Sequence, residues 1–179
     1  MSILKVDTIN EKTTGNGVVI PSGQTLDVSA GTLVPSSDQI VQVQTRTVAN
    51  SGWSTTSTSA VVAVTNWYVD ITPTKSTNLL VWKTSITSGT TVVGAYGRFN
   101  IYDTNTGSIW SSGSYIAQTG YNANANEWED TSIYAANTAG TTNAMRLQLY
   151  AVVNGASATL SNSWAGGDNR LIEVVEVEQ

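Results

Sequence analysis

In MRLQLYAVV, residues 145–153, every second side chain is apolar: Met145, Leu147, Leu149 and Ala151 alternate with Arg146, Gln148 and Tyr150. Successive side chains of a β-strand point to opposite faces, so this spacing predicts a strand with one face in a core and one in solvent. The pattern recurs along the chain. QIVQVQTRTV sets Val41 and Val43 against Gln42, Gln44 and Arg46; WYVDIT sets Trp67, Val69 and Ile71 against Tyr68 and Asp70. NLLVWKTSI aligns Leu80, Trp82 and Ile86, and GRFNIYD aligns Phe99 and Ile101 before the turn-forming DTNTG of residues 103–107. SAVVAV, residues 59–64, is apolar on both sides, as in a strand covered on both faces. RLIEVVEVE closes the chain with an alternation that slips at Val174–Val175, leaving apolar groups on both faces. No window carries apolar residues at helical spacing behind a cap. Seven or more short strands between turn-rich loops predict an all-β chain whose residues 39–179 form an antiparallel β-sandwich, jelly-roll-like in class.

Composition agrees and narrows the chemistry. Ser and Thr make up about a quarter of the 179 residues, whereas the helix builders Leu, Glu and Lys are sparse. Histidine and cysteine are both absent, which removes Ser-His-Asp and Cys-His catalysis, thiolate sites and a disulfide framework. With a net charge of -5 and no Lys/Arg cluster, the chain has no phosphate-binding footprint, so nucleic acid is not an expected partner. No apolar run approaches the roughly 20 residues of a membrane helix, so membrane insertion is not expected, and no basic-then-apolar leader opens the chain. A non-enzymatic protein without cofactors is the expectation.

Residues 1–38 read differently. A strand pattern over residues 3–9, a polar turn over 10–17 and a second short strand over 18–20 give way to a connector, PSGQTLDVSAGTLVPSSD, that holds two of the three prolines. Two short strands cannot bury enough apolar surface to stand alone in water. Either they add edge strands to the sandwich, or something outside the chain completes them.

LKVDTINEKTTGNGVVIPSGQTLDV, residues 4–28, resembles the N-terminal segments of bacteriophage fibre proteins, especially those of phages of cyanobacteria and other marine bacteria. DITPTKSTNLLVWKTSI, residues 70–86, is similar to a strand-turn-strand of those fibre heads. NAMRLQLYAVVNGASATL and the final RLIEVVEVE stand where such heads place their last strands. The stretch from residue 88 to 139 departs most. The resemblance implies a homotrimeric virion fibre, folded in the host cytoplasm, whose N-terminal segment joins other virion structural proteins and whose head meets the host surface. Three copies of the N-terminal segment would then intertwine, with Leu4, Val6, Ile9, Val18 and Ile20 as trimer interface, and the outer face of the last strand would meet neighbouring subunits.

Three groups of residues are candidates for chemistry. Glu127, Glu129 and Asp130 form the densest acidic cluster, where a glycoside hydrolase could hold an acid and a base; a solvated acidic loop is the plainer reading. The same cluster, with Asp103 and Asn105, offers oxygen ligands for calcium, although turn formation alone accounts for DTNTG. The aromatics divide. Trp67, Trp82 and Phe99 lie in alternating strands and belong to a core, whereas Trp53, Trp110, Tyr115, Tyr121, Trp128 and Trp164 lie in or beside polar segments. Flat rings among amides and hydroxyls suit stacking on sugars, and the alternative is that they plug the ends of the sandwich. The expected recognition surface is a loop stretch, residues 108–130, anchored by Trp110, Tyr115, Tyr121 and Trp128 with Asn122, Asn124 and Asn126 as hydrogen-bonding groups. Its ligand would be a host-surface polysaccharide or lipopolysaccharide. The rivals are a structural connector of the virion and a carbohydrate-processing enzyme.

Overall fold

The computed structural model describes residues 39–49, 52–58, 62–111, 115–119, 127–155, 157–162 and 169–179, with the Glu127 side chain excepted. All of them belong to the second of the two units into which the chain divides, Ser36–Gln179. The expected interface residues Leu4, Val6, Ile9, Val18 and Ile20 lie outside the described residues, as do Tyr121, Asn122, Asn124, Asn126 and Trp164.

The described residues are all-β. Strands β1 (Ile40–Ala49), β4 (Leu79–Thr90), β8 (Glu127–Thr138) and β11 (Asn169–Val177) make one antiparallel sheet in the order β1-β11-β4-β8. The short β10 (Leu160–Ser161) pairs with the far end of β4, and β2 (Ser54–Thr55) pairs with β10. In the second sheet, β3 (Val62–Ile71), β9 (Met145–Asn154) and β5 (Tyr96–Asp103) lie side by side. The two-residue strands β6 (Ser108–Ile109) and β7 (Ala117–Gln118) pair with β5. The long strands alternate between the sheets as the chain proceeds, and each sheet interleaves early strands with late ones. That interleaving is the jelly-roll form of the β-sandwich.

The alternation read from sequence places the core. Leu80, Trp82 and Ile86 of β4, Ile133 and Ala135 of β8, and Ile172 and Val174 of β11 face Trp67, Val69 and Ile71 of β3, Phe99 and Ile101 of β5, and Leu147, Leu149 and Ala151 of β9. Each such Leu, Ile or Phe contributes about 1.5–3 kcal/mol by leaving water. Where β5 passes beneath β10 the fit is tight: a Cβ on Gly97 would lie 2.6 Å from both methyl carbons of the buried Leu160, which would have to shift to admit it.

Three expectations are corrected. SAVVAV and WYVDIT do not form separate strands: residues 62–71 are one strand, β3. Its buried positions change phase between Val64 and Trp67, and the pairing with β9 shifts between Ala63 and Tyr68. Asn66 sits at this irregularity with φ 65°; five steps along β3 pass against two on β9, so three extra residues are absorbed and Trp67 returns to the core. Val62 and Ala63 are half-buried, so this strand is not covered on both faces. The stretch 108–130 is not simply loop, because it contains β6, β7 and the start of β8, a twelve-residue strand paired with β4 along its whole length.

The apparent slip in RLIEVVEVE is not an irregularity of the backbone. Glu173 to Val177 pair without a break with Lys83 to Leu79. Ile172, Val174 and Glu176 face inward, and Glu176 is completely buried. Its carboxylate accepts hydrogen bonds from Gln42 Nε2 (2.5 Å), the Thr74 amide and hydroxyl (2.8 Å each) and Asn78 Nδ2 (2.6 Å). One buried glutamate therefore ties the turn between β3 and β4 to both β1 and β11.

Candidate recognition surface

The alternation that buries Phe99, Ile101, Leu147 and Leu149 sends their neighbours to the outer face of the second sheet. On β5 these are Tyr96, Arg98, Tyr102 and Asn100, which is itself buried and accepts from the Ser111 hydroxyl; on β9 they are Arg146, Gln148 and Tyr150; on β3 they are Tyr68 and Asp70. Register brings them together: Asn100 lies opposite Tyr150, Gln148 lies opposite both Tyr102 and Tyr68, and Arg146 lies opposite Asp70. With Tyr115, this face gathers five of the chain's seven tyrosines and, with Arg46, three of its four arginines.

Two groups form on this face. The rings of Tyr102 and Tyr150 have centroids 4.5 Å apart, tilted by 33°. Arg98 lies 5.0 Å from the centroids of both Tyr96 and Tyr115 and donates a 2.6 Å hydrogen bond to the Tyr96 hydroxyl. Tyr115 is 41% exposed. Burial, followed by the electrostatic influence of Tyr115 and Tyr150, raises the Tyr102 hydroxyl above the ordinary tyrosine range, so it remains a hydrogen-bond donor. In the second group the Tyr68 ring carries two guanidinium groups, Arg46 at 3.8 Å and Arg146 at 4.1 Å. Arg146 also grips Asp70 with two bonds, at 2.7 and 3.0 Å. Aromatic faces beside fixed donors suit a hydroxylated ligand: rings cover the apolar face of a sugar while amides and guanidinium groups meet its oxygens.

Of the residues expected from sequence, Tyr115 belongs to this face. Trp110 does not. It is 6% exposed at one end of the sandwich, where it lines a cleft of about 300 Å³ with Asp103, Asn137 and Thr138. Its backbone oxygen accepts a 2.5 Å hydrogen bond from Asn137 Nδ2. Trp128 lies on β8 in the other sheet, half-buried opposite Gly89. Trp53 is buried, with its indole N–H donating to the Ala63 carbonyl at 2.9 Å. Trp67, Trp82 and Phe99 fill the core, as expected.

In the acidic cluster, Asp130 is held by Arg170 at 2.9 Å and by the Thr87 hydroxyl, and Glu129 lies on the opposite face of β8. The Asp103 carboxylate accepts from the Asn105 amide (3.0 Å) and the Thr106 hydroxyl (3.1 Å), which closes the DTNTG turn. Among the described residues there is no group of three acidic side chains placed to hold a metal ion.

The sequence reading missed Arg98, Tyr102 and Tyr150. Their signal lay in the outward positions of two neighbouring strands, which hold Tyr, Arg, Asn and Gln where a merely solvated face would hold Ser, Thr and Lys.

No protein-family model matches the chain, and no curated protein matches it. Among solved structures, the VP2 subviral particle of infectious bursal disease virus matches with 13% sequence identity and a TM-score of 0.42, over 89% of this chain. The chain spans 46% of that protein's length. So distant a likeness carries no functional argument, and the sandwich described above rests on its own strand pairing.

Proposed function

We propose that this chain is a subunit of a homotrimeric virion fibre that adheres to a host-surface glycan through the outer face of its second sheet. The observation that carries this reading is the group formed by Tyr115, Arg98, Tyr102 and Tyr150, an aromatic and hydrogen-bonding surface on a rigid two-sheet scaffold. Recognition is here the work of strand residues rather than of a loop alone. Residues 1–38 would join the three copies to one another and to other virion proteins, consistent with their resemblance to fibre segments.

The outer face of the first sheet supports the trimer. Val43, Val175, Val81 and Ala136 form one cross-strand row, and Ile40, Val177 and Leu79 lie in the next. Ile40 is 64% and Val43 46% exposed, whereas Val81 and Val175 are already buried within the chain, so the open part of this face lies along β1. Apolar rows of this kind mark a contact surface more often than a solvated one. A weak sugar contact repeated on three heads and several fibres would give useful residence time.

The test is to replace Tyr115 and Tyr150 singly with Ala, then measure adsorption to host cells and thermal melting separately. Losing one stacked ring should weaken adsorption about tenfold, with melting little changed for the more exposed Tyr115. Adsorption should stay level between about pH 6 and 9, because the chain has no histidine to titrate there. Unchanged adsorption in both variants would leave a connector without receptor binding as the better reading.

A further inference from the structure

We infer that Arg98 receives the anionic substituent of an acidic polysaccharide: a carboxylate, sulfate or phosphate ester carried on a sugar ring. The inference rests on the adhesion reading and names the class of glycan. The charge pattern supplies the argument. This is an acidic chain, with 13 Asp and Glu against 8 Lys and Arg, so its few cations have an excess of carboxylates to choose from. Arg146 and Arg170 each bind one, Asp70 and Asp130 respectively. Among the described residues Arg98 binds none; it donates to the neutral Tyr96 hydroxyl and lies between two tyrosine rings. The flanking residues 112–114 and 120–126 contain no Asp or Glu, so those segments bring it no carboxylate either.

A guanidinium group has five N–H donors in a fixed planar fork, and Arg98 uses one of them on Tyr96. The rings at 5.0 Å hold the plane in place without neutralising it. Such a preset fork matches the paired oxygens of carboxylate, sulfate or phosphate. Its surroundings agree. Among the described residues, Arg46, Arg98 and Arg146 share this face with one carboxylate, that of Asp70, which makes it locally positive on a negative protein. Such an island draws polyanions to one face while the rest of the surface repels them. Tyr115 and the Tyr102 hydroxyl would then meet the ring and hydroxyls of the same sugar.

The experiment uses the full chain on matched polysaccharides. Alginate supplies carboxylate, a sulfated galactan is paired with its desulfated form, phosphorylated lipopolysaccharide is paired with its dephosphorylated form, and dextran is the neutral control. Wild type should bind at least one acidic member about tenfold more tightly than its neutral counterpart, with affinity falling as salt rises, and the preferred member identifies the substituent. Arg98→Gln should remove that preference and leave any neutral binding in place; Arg98→Lys should keep part of the salt dependence while losing affinity. Near-equal binding to acidic and neutral partners, or an acidic preference that survives Arg98→Gln, overturns the inference while adhesion stands. A wild type that binds neither polysaccharide nor host cells defeats the adhesion reading itself.

Discussion

Glu176 lies where an apolar side chain would ordinarily complete the inner face of β11. Burial alone would raise its carboxyl above the ordinary range. The hydrogen bonds from Gln42, Asn78 and the Thr74 side chain and amide outweigh that and hold it below. A carboxyl whose folded value is lowered stabilises the fold above its unfolded value, and that stabilisation fades as pH falls through the folded value. Glu176→Gln exchanges an acceptor for a donor facing Thr74 and Asn78, at a cost of about 2–4 kcal/mol at pH 7. Thermal melting should show a drop of roughly 5–15 °C at pH 7. The gap should narrow towards pH 3, as wild type loses the charge that the variant never had. A gap independent of pH would mean that the carboxylate's charge is unimportant. The same residue shows why its strand was hard to read. The pair Val174–Val175 looks like a phase slip only if Glu176 is taken to face water; facing inward, it leaves the alternation regular.

Among the elements, those with large side chains at every second position were legible: β9, β5 and β4 follow directly from Leu147, Phe99 and Trp82. β8 was not. Its inner positions include Thr131 and Ala135, with Ile133 as a larger apolar group, so the contrast that marks a strand is weak although its pairing with β4 is complete. That is also why a recognition stretch expected as one loop proves to supply strand residues to different sheets. In β3 the irregularity depends on a backbone that few residues tolerate. Asn66→Val should destabilise by about 1–3 kcal/mol, because a branched side chain resists positive φ, whereas Asn66→Gly should be close to neutral. Chemical denaturation distinguishes the two; equal stability for both variants would show that the strand can absorb its extra residues elsewhere.

At the level of the whole molecule, alternation and the lack of helical patterns sufficed for the two-sheet class, because burial on one face of a sheet leaves a mark in every long strand. The candidate surface was only partly legible. Tyr115 stood out by its polar neighbours, but its grouping with Arg98, Tyr102 and Tyr150 depends on register, which no single strand encodes. Register also creates the Val43–Val175–Val81–Ala136 row on the first sheet. If that row meets other copies of the chain, Val43→Asp should shift sedimentation from trimer towards monomer at micromolar concentration, with head melting within a few degrees of wild type. A variant that remains fully trimeric would free this face from any part in assembly.

The first and last long strands of the sandwich are neighbours. Ile40 lies opposite Val177, and the Glu178 amide donates to the Gln39 carbonyl at 2.8 Å. The path of the backbone is thus nearly a closed loop, and the break between β11 and β1 is a convention of synthesis rather than of architecture. A polypeptide with a short bridge from residue 179 to residue 39, opened instead at the exposed turn of residues 104–107, would contain the same strand pairs in rotated order. For this sandwich, what is translated first is a free variable.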